Sequence, residues 1–123
     1  MRHAQMVAII DDDEQVRTAT ASLVRSLGLA TRTFASAEDF LLSPEQGVAD
    51  CVITDVQMPG MSGVELQAAL RAKGSRTPLI FITAFPEDRI RRQVTLAGAV
   101  GFLAKPFDGQ EMIACLDAAL AGA

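Results

Sequence analysis

Apolar residues follow two rhythms along this chain. Short unbroken runs occur at 6–10 (MVAII), 51–54 (CVIT), 79–83 (LIFIT) and 99–104 (AVGFLA). Each is too short for a helix, the first three are rich in β-branched residues, and all four predict buried strands. Thr31 to Phe34 adds another short strand.

Between these runs the spacing relaxes to that of helices. Val16, Ala19, Leu23, Val24 and Leu27 recur on one side, and Gly28 supplies the stop. Ser36 stands before AEDFLL as a cap, with Asp39 three positions on. Pro59, Gly60 and Gly63 interrupt regular structure and shape a loop, and from Ser62 or Gly63 a helix carries Val64, Leu66, Ala69 and Leu70. Pro86 opens a fourth helix bearing Ile90, Val94 and Ala97, closed by Gly98. Asp108 caps a fifth, in which Met112, Leu116 and Ala119 recur.

Strands and helices in this alternation predict an α/β fold, a parallel sheet with helices on both faces. The C-terminal ends of parallel strands share one edge, so Asp11, Asp12, Asp55, Thr83 and Lys105 are expected to converge there around a ligand cleft.

Length and composition narrow the setting. A chain of 123 residues and 13.1 kDa supports one ordinary core. Trp and Tyr are absent and all six aromatics are Phe, so that core is mostly aliphatic. A net charge of −4 and a pI near 4.8 argue against direct nucleic-acid binding. Cys51 and Cys115 lack a CxxC spacing and read as reduced core thiols, from which a cytoplasmic location is expected. The sequence contains no apolar run of membrane-spanning length and no signal-peptide pattern at its N-terminus, so no membrane association is expected. His3 has no second histidine to share a metal with and reads as an exposed terminal side chain.

The candidate chemistry starts at Asp11, Asp12, Asp13 and Glu14, four carboxylates where a buried strand ends. Either they splay into water or they share a cation, because adjacent charges repel and burial strips their hydration. With Asp55 added, the oxygen density suits a hard divalent cation, particularly Mg²⁺, although electrostatics alone also admits Mn²⁺ or weak Ca²⁺ binding. Asp13 is placed to cap the following helix and Glu14 to sit at its positive end. Lys73 and Lys105 are the two lysines among eleven basic residues. The compact ammonium of Lys105 suits contact with both a carboxylate and a phosphate oxygen. Each residue also has a plainer reading: Asp55 ends a strand, Thr83 satisfies a backbone group, and Arg89, Arg91 and Arg92 form a solvated face.

The segments IIDDDE, VITDVQMPGMSG, LIFITA and AVGFLAKPF follow one another in that order. Through them the chain closely resembles the receiver domain of bacterial two-component response regulators. The resemblance covers residues 5–121 as a single receiver domain, leaving 1–4 and 122–123 as short termini. The stretches SAEDFL and TDVQMPGMSGVEL are most similar to FixJ-type transcriptional regulators. The resemblance implies a doubly wound, flavodoxin-like sheet in the order 2-1-3-4-5.

It also implies roles. Asp55 is the phosphoacceptor, and its non-attacking oxygen joins Asp12 and the backbone carbonyl of Gln57 as metal ligands. Asp11 completes the acid pair through water and Lys105. Lys105 and Thr83 contact the phosphoryl oxygens, and Lys105-Pro106 is expected to be cis. Phe102 occupies the aromatic switch position, with permanent core packing as the alternative. Phe85 and Gln57 stand where receivers vary, so some autodephosphorylation is expected without a predicted lifetime. Enzymatic character is confined to the domain's own phosphorylation and dephosphorylation.

The implied partners are a sensor histidine kinase, an output domain or target protein, and a second copy engaged through the fourth helix, fifth strand and fifth helix on phosphorylation. Transcriptional control is the implied output. Three other readings stand beside it: a stand-alone receiver, a phosphorylation-independent interaction module, and a small metal-dependent phosphate-ester hydrolase. The hydrolase has against it the lack of a developed substrate-selecting loop.

Overall fold

The computed structural model describes residues 5–121, so His3 and the two expected short termini lie outside the described residues. Its strands are β1 (Met6–Ile10), β2 (Ala30–Phe34), β3 (Cys51–Asp55), β4 (Leu79–Thr83) and β5 (Gly101–Ala104). The helices are α1 (Glu14–Ser26), α2 (Ala37–Leu41), α3 (Gly63–Ala72), α4 (Asp88–Leu96) and α5 (Gly109–Ala121). All pairings are parallel and the sheet order is β2-β1-β3-β4-β5, as the resemblance implies.

Strand alternation divides the core into two layers. Val7, Ile9, Cys51, Ile53, Ile80 and Ile82 face α1 and α5, where Val24, Met112 and Leu116 meet them. Ala8, Ile10, Val52, Leu79 and Phe81 face the other way, toward Phe40, Leu66, Leu70 and Val94. Because β3 and β4 are covered on both faces, they read as continuous apolar runs rather than alternating ones. Each fully buried large side chain contributes roughly 2 kcal/mol against chain entropy.

The helices depart from expectation in detail. On α1 the buried residues are Thr20, Ala21 and Val24, while Ala19 is exposed and Leu27 is the C-cap. The polar Thr20 hides within that face, and its hydroxyl has no hydrogen-bond partner among the described residues. Helix α4 starts at Asp88 rather than Pro86, because its N-cap Glu87 is extended at φ −125° and ψ 132°. β5 starts at Gly101 rather than residue 99. Ala99 is spent on closing α4: its N–H reaches Val94 O at 2.9 Å while Gly98, at φ 102°, donates to Thr95 O at 3.0 Å. A short 3₁₀ turn at Pro44–Gly47 was not expected.

Helix α4 is held unevenly. Buried Gln67 donates from Nε2 to Val94 O at 3.0 Å, and Arg71 Nε donates to Ala97 O at 3.2 Å. Both staples grip the last turn. Its N-cap makes no side-chain bond, and Phe85 just before it is 68% exposed.

The two thiols are free. Burial, with Cys115 nearby, pushes Cys51 up to about 12, and burial also raises Cys115. Iodoacetamide at mildly alkaline pH is therefore expected to leave Cys51 unmodified in the folded protein, whereas denaturant exposes both thiols to alkylation; peptide mass mapping reads the difference. Rapid labelling of Cys51 without denaturant would contradict its placement in the core.

Candidate functional site

The parallel register brings the functional side chains to one edge. Ile10 pairs with Thr54, Asp55 with Ile82, and Thr83 with Ala104. The residues that end or follow these strands therefore meet in space.

Asp11 follows β1, and its N–H extends the ladder by donating to Phe34 O at 3.1 Å. Its side chain is fully buried, and Oδ1 accepts the Asp13 N–H at 2.9 Å. Asp12 turns outward and is exposed. Asp13 caps α1, accepting from Gln15 N and Val16 N, with Glu14 in the helix's first turn. Asp13 and Glu14 thus serve the helix start, as expected.

Asp55 ends β3 and is 7% exposed. Its Oδ1 accepts the Gln57 N–H at 3.2 Å. Just after β5, Lys105 anchors its N–H on Thr83 O at 2.8 Å and sends its side chain back across the edge. Lys105 Nζ donates to Asp55 Oδ2 at 2.8 Å and lies 2.9 Å from Asp11 Oδ2. The second contact is an ion pair off hydrogen-bond alignment, so Asp11 Oδ2 is a buried oxygen with no aligned donor. The Lys105-Pro106 peptide is cis, as the resemblance implies.

Electrostatics matches this layout. Burial pushes the Asp11 carboxyl above its ordinary range, against the Asp13 N–H and Lys105, while Asp55 adds to the rise. Burial acts to lower Lys105, but its hydrogen bond to Asp55 and the close carboxylates of Asp55 and Asp11 together outweigh it and hold the ammonium above its usual range. One cation offsets two buried carboxylates. Net negative charge remains.

Asp11, Asp12 and Asp55 each offer an oxygen within 4.8 Å of the others. The donor set is all oxygen and acidic, and includes the buried Asp11 Oδ2, which has an ion-pair partner but no aligned donor. It fits a divalent, oxygen-preferring cation.

Thr83 is 1% exposed at the end of β4, and its hydroxyl accepts the Phe85 N–H at 3.1 Å. Gln57 is exposed beside Asp55. Phe102 is partly buried against the helix α4 side of the core, with the Arg91 guanidinium 5.3 Å from its ring centroid. Arg89 and Arg92 are exposed. Among the described residues no helix is long and apolar enough to cross a membrane.

Two supporting residues carry no local signal in the sequence. Arg17 Nη1 donates to the Asp11 carbonyl at 2.6 Å, fixing the β1–α1 turn. Glu38 Oε2 accepts the Met61 N–H at 2.9 Å, tying α2 to the loop after Asp55.

A family model described as the response regulator receiver domain matches residues 7–117. The response regulator protein TodT of Pseudomonas putida is 40% identical over 117 residues, 95% of this chain and 52% of TodT. The transcriptional regulatory protein FixJ of Azorhizobium caulinodans is 40% identical over 114 residues, 93% of this chain and 54% of FixJ. The chain thus spans about half the length of these curated relatives. Among solved structures, the FixJ-N crystal structure superposes with a TM-score of 0.86 at 32% identity, covering 99% of this chain and 98% of that one.

Proposed function

The chain belongs to the response regulator receiver domain family, and from that premise we propose that residues 5–121 act as one phosphoacceptor unit with Asp55 as the acceptor. What carries this reading is the Lys105 ammonium lying 2.8 Å from Asp55 and 2.9 Å from Asp11, beside carboxylate oxygens grouped within 4.8 Å.

An Asp55 oxygen forms a bond to phosphorus as the bond from phosphorus to a histidine nitrogen of a sensor kinase breaks. The electron pair stays on that nitrogen, which takes up a proton. Lys105 donates a hydrogen bond to the acceptor carboxylate and offers donors to the phosphoryl oxygens. Thr83 accepts from Phe85 N and has its own proton for an incoming oxygen. Asp12, Asp55, the Gln57 carbonyl and, less directly, Asp11 would hold Mg²⁺, which when bound supplies positive charge to the phosphoryl oxygens. Mn²⁺ satisfies the same donors.

Loading of Asp55 alters the surroundings of Thr83 and Phe102, and with them the surface of α4, β5 and α5. That surface serves a second copy or an output partner in transcriptional control, the role printed for FixJ. The chain's net charge of −4 argues against its binding DNA itself. Incubation with acetyl phosphate and Mg²⁺ is expected to add one phosphoryl group, read by intact mass and located at Asp55. An unmodified protein under those conditions would sink the reading.

The two halves of the acid run are also separable. Asp12→Asn is expected to weaken Mg²⁺ binding about tenfold or more in calorimetric titration while leaving the fold intact. Asp13→Ala is expected to cost about 1 kcal/mol of stability through loss of the α1 cap, with Mg²⁺ affinity nearly unchanged. Equal losses of metal affinity in both variants would contradict this division.

A further inference from the structure

The loop between Asp55 and α3 is held by the adjacent strand β4 and by its own neighbours. Val56 N reaches Ile82 O, Gln57 N reaches Asp55 Oδ1, Ser62 N reaches Glu65 Oε1, and Gly63 N reaches Val56 O. Met61 is different: its N–H goes to a carboxylate on another helix, Glu38 Oε2, at 2.9 Å and 23 residues away.

The fit around that carboxylate is close. Gly60 has φ +76°, and a Cβ there would run into Glu38 Oε2. The Met61 N–H is also the main influence holding the Glu38 carboxyl below its ordinary range. Glu38 has a firm base, because its helix is capped by Ser36 and flanked by fully buried Ala37 and nearly fully buried Phe40, the latter edge-on to Phe34 at 5.3 Å.

We propose that Glu38 is a positioning residue for the phosphoacceptor loop, setting the backbone path from Asp55 through Gln57 to Met61. This rests on the phosphoacceptor reading above. The reach is mechanical: the loop leaves Asp55, turns at Gly60 where the carboxylate sits, and re-enters regular structure at Gly63. A tie at Met61 therefore limits how far Gln57 can drift from the acid cluster. A carboxylate held by a backbone N–H and resting against glycine does this without entering the site.

The test compares Glu38→Ala and Glu38→Gln in the full chain. Glu38→Ala is expected to speed hydrogen exchange at the Met61 amide, to weaken Mg²⁺ binding about fivefold, and to slow phosphorylation by acetyl phosphate at saturating Mg²⁺ about as much, the scale of one hydrogen bond. Glu38→Gln keeps an acceptor oxygen and is expected to restore all three readouts to within about twofold of the parent. A purely structural role would lower melting temperature and leave Mg²⁺ affinity and the saturated rate unmoved. Faster Met61 exchange with unchanged affinity and rate would overturn the proposal and leave the phosphoacceptor reading standing. An unmodified parent chain would overturn both.

Discussion

Asp55→Asn is expected to abolish phosphorylation outright. Asparagine keeps the shape of the side chain and can still accept the Gln57 N–H through its amide oxygen, so the loop has no reason to move. What it loses is the nucleophile. An amide nitrogen turned toward Lys105 would also set donor against donor where the carboxylate now accepts at 2.8 Å. Fold stability should change little, since losing a charge-assisted hydrogen bond is offset by removing one of three crowded carboxylates. Intact mass after acetyl phosphate and Mg²⁺ reads the result, with no adduct expected. Phosphate-ester turnover that survives the substitution would favour the hydrolase alternative over an aspartyl acceptor.

Gly63→Ala is expected to damage fold and site together. The first turn of α3 packs directly on the phosphoacceptor, with Gly63 N donating to Val56 O at 2.9 Å. A methyl group at 63 would collide with the Asp55 carbonyl oxygen and press on Phe81 Cε1 at 3.3 Å. Neither neighbour yields easily, because one is backbone and the other is a fully buried ring. Either α3 lifts or Asp55 shifts. Overpacking of this kind costs about 3 kcal/mol, which for a domain this size lowers the melting temperature by roughly 10 °C. Phosphorylation should slow as well, because a shift of the Asp55 backbone misaligns the acceptor with Lys105. A variant with parental stability and rate would show that the close approach is unnecessary.

Much of this fold could be read because its strands are continuous apolar runs and parallel topology does the rest. Once β1, β3, β4 and β5 are recognised, the meeting of Asp11, Asp12, Asp55 and Lys105 follows, although more than ninety positions separate the first from the last. Local caps were equally legible: Ser36 on Asp39 and Asp13 on α1 both act within one helical turn.

Contacts whose partners lie far along the chain were not legible. Glu38 looks like any acid in a first turn until Met61 folds beside it, and Gln67 looks like a surface amide until Val94 O is found above it. Gly63 was legible as the end of the loop and the start of the helix, but not as a residue whose smallness lets α3 pack on Asp55. Periodicity counted Ala19 as core because it weighs only polarity; the helix instead turns Thr20 inward.

The uneven hold on α4 has a mechanical consequence. With Gln67 and Arg71 pinning its final turn, the helix can pivot but not readily slide, and nine residues give it an arm of about 13 Å. A tilt of about 10° about that fulcrum would carry the free end roughly 2 Å while the pinned end stays almost still. Any displacement arising near Thr83 and Phe85 enters at the end of the arm where the helix resists least. The stationary end can keep a constant footprint against α3, while the swinging end, with Arg91 on Phe102, carries the variable part of the surface.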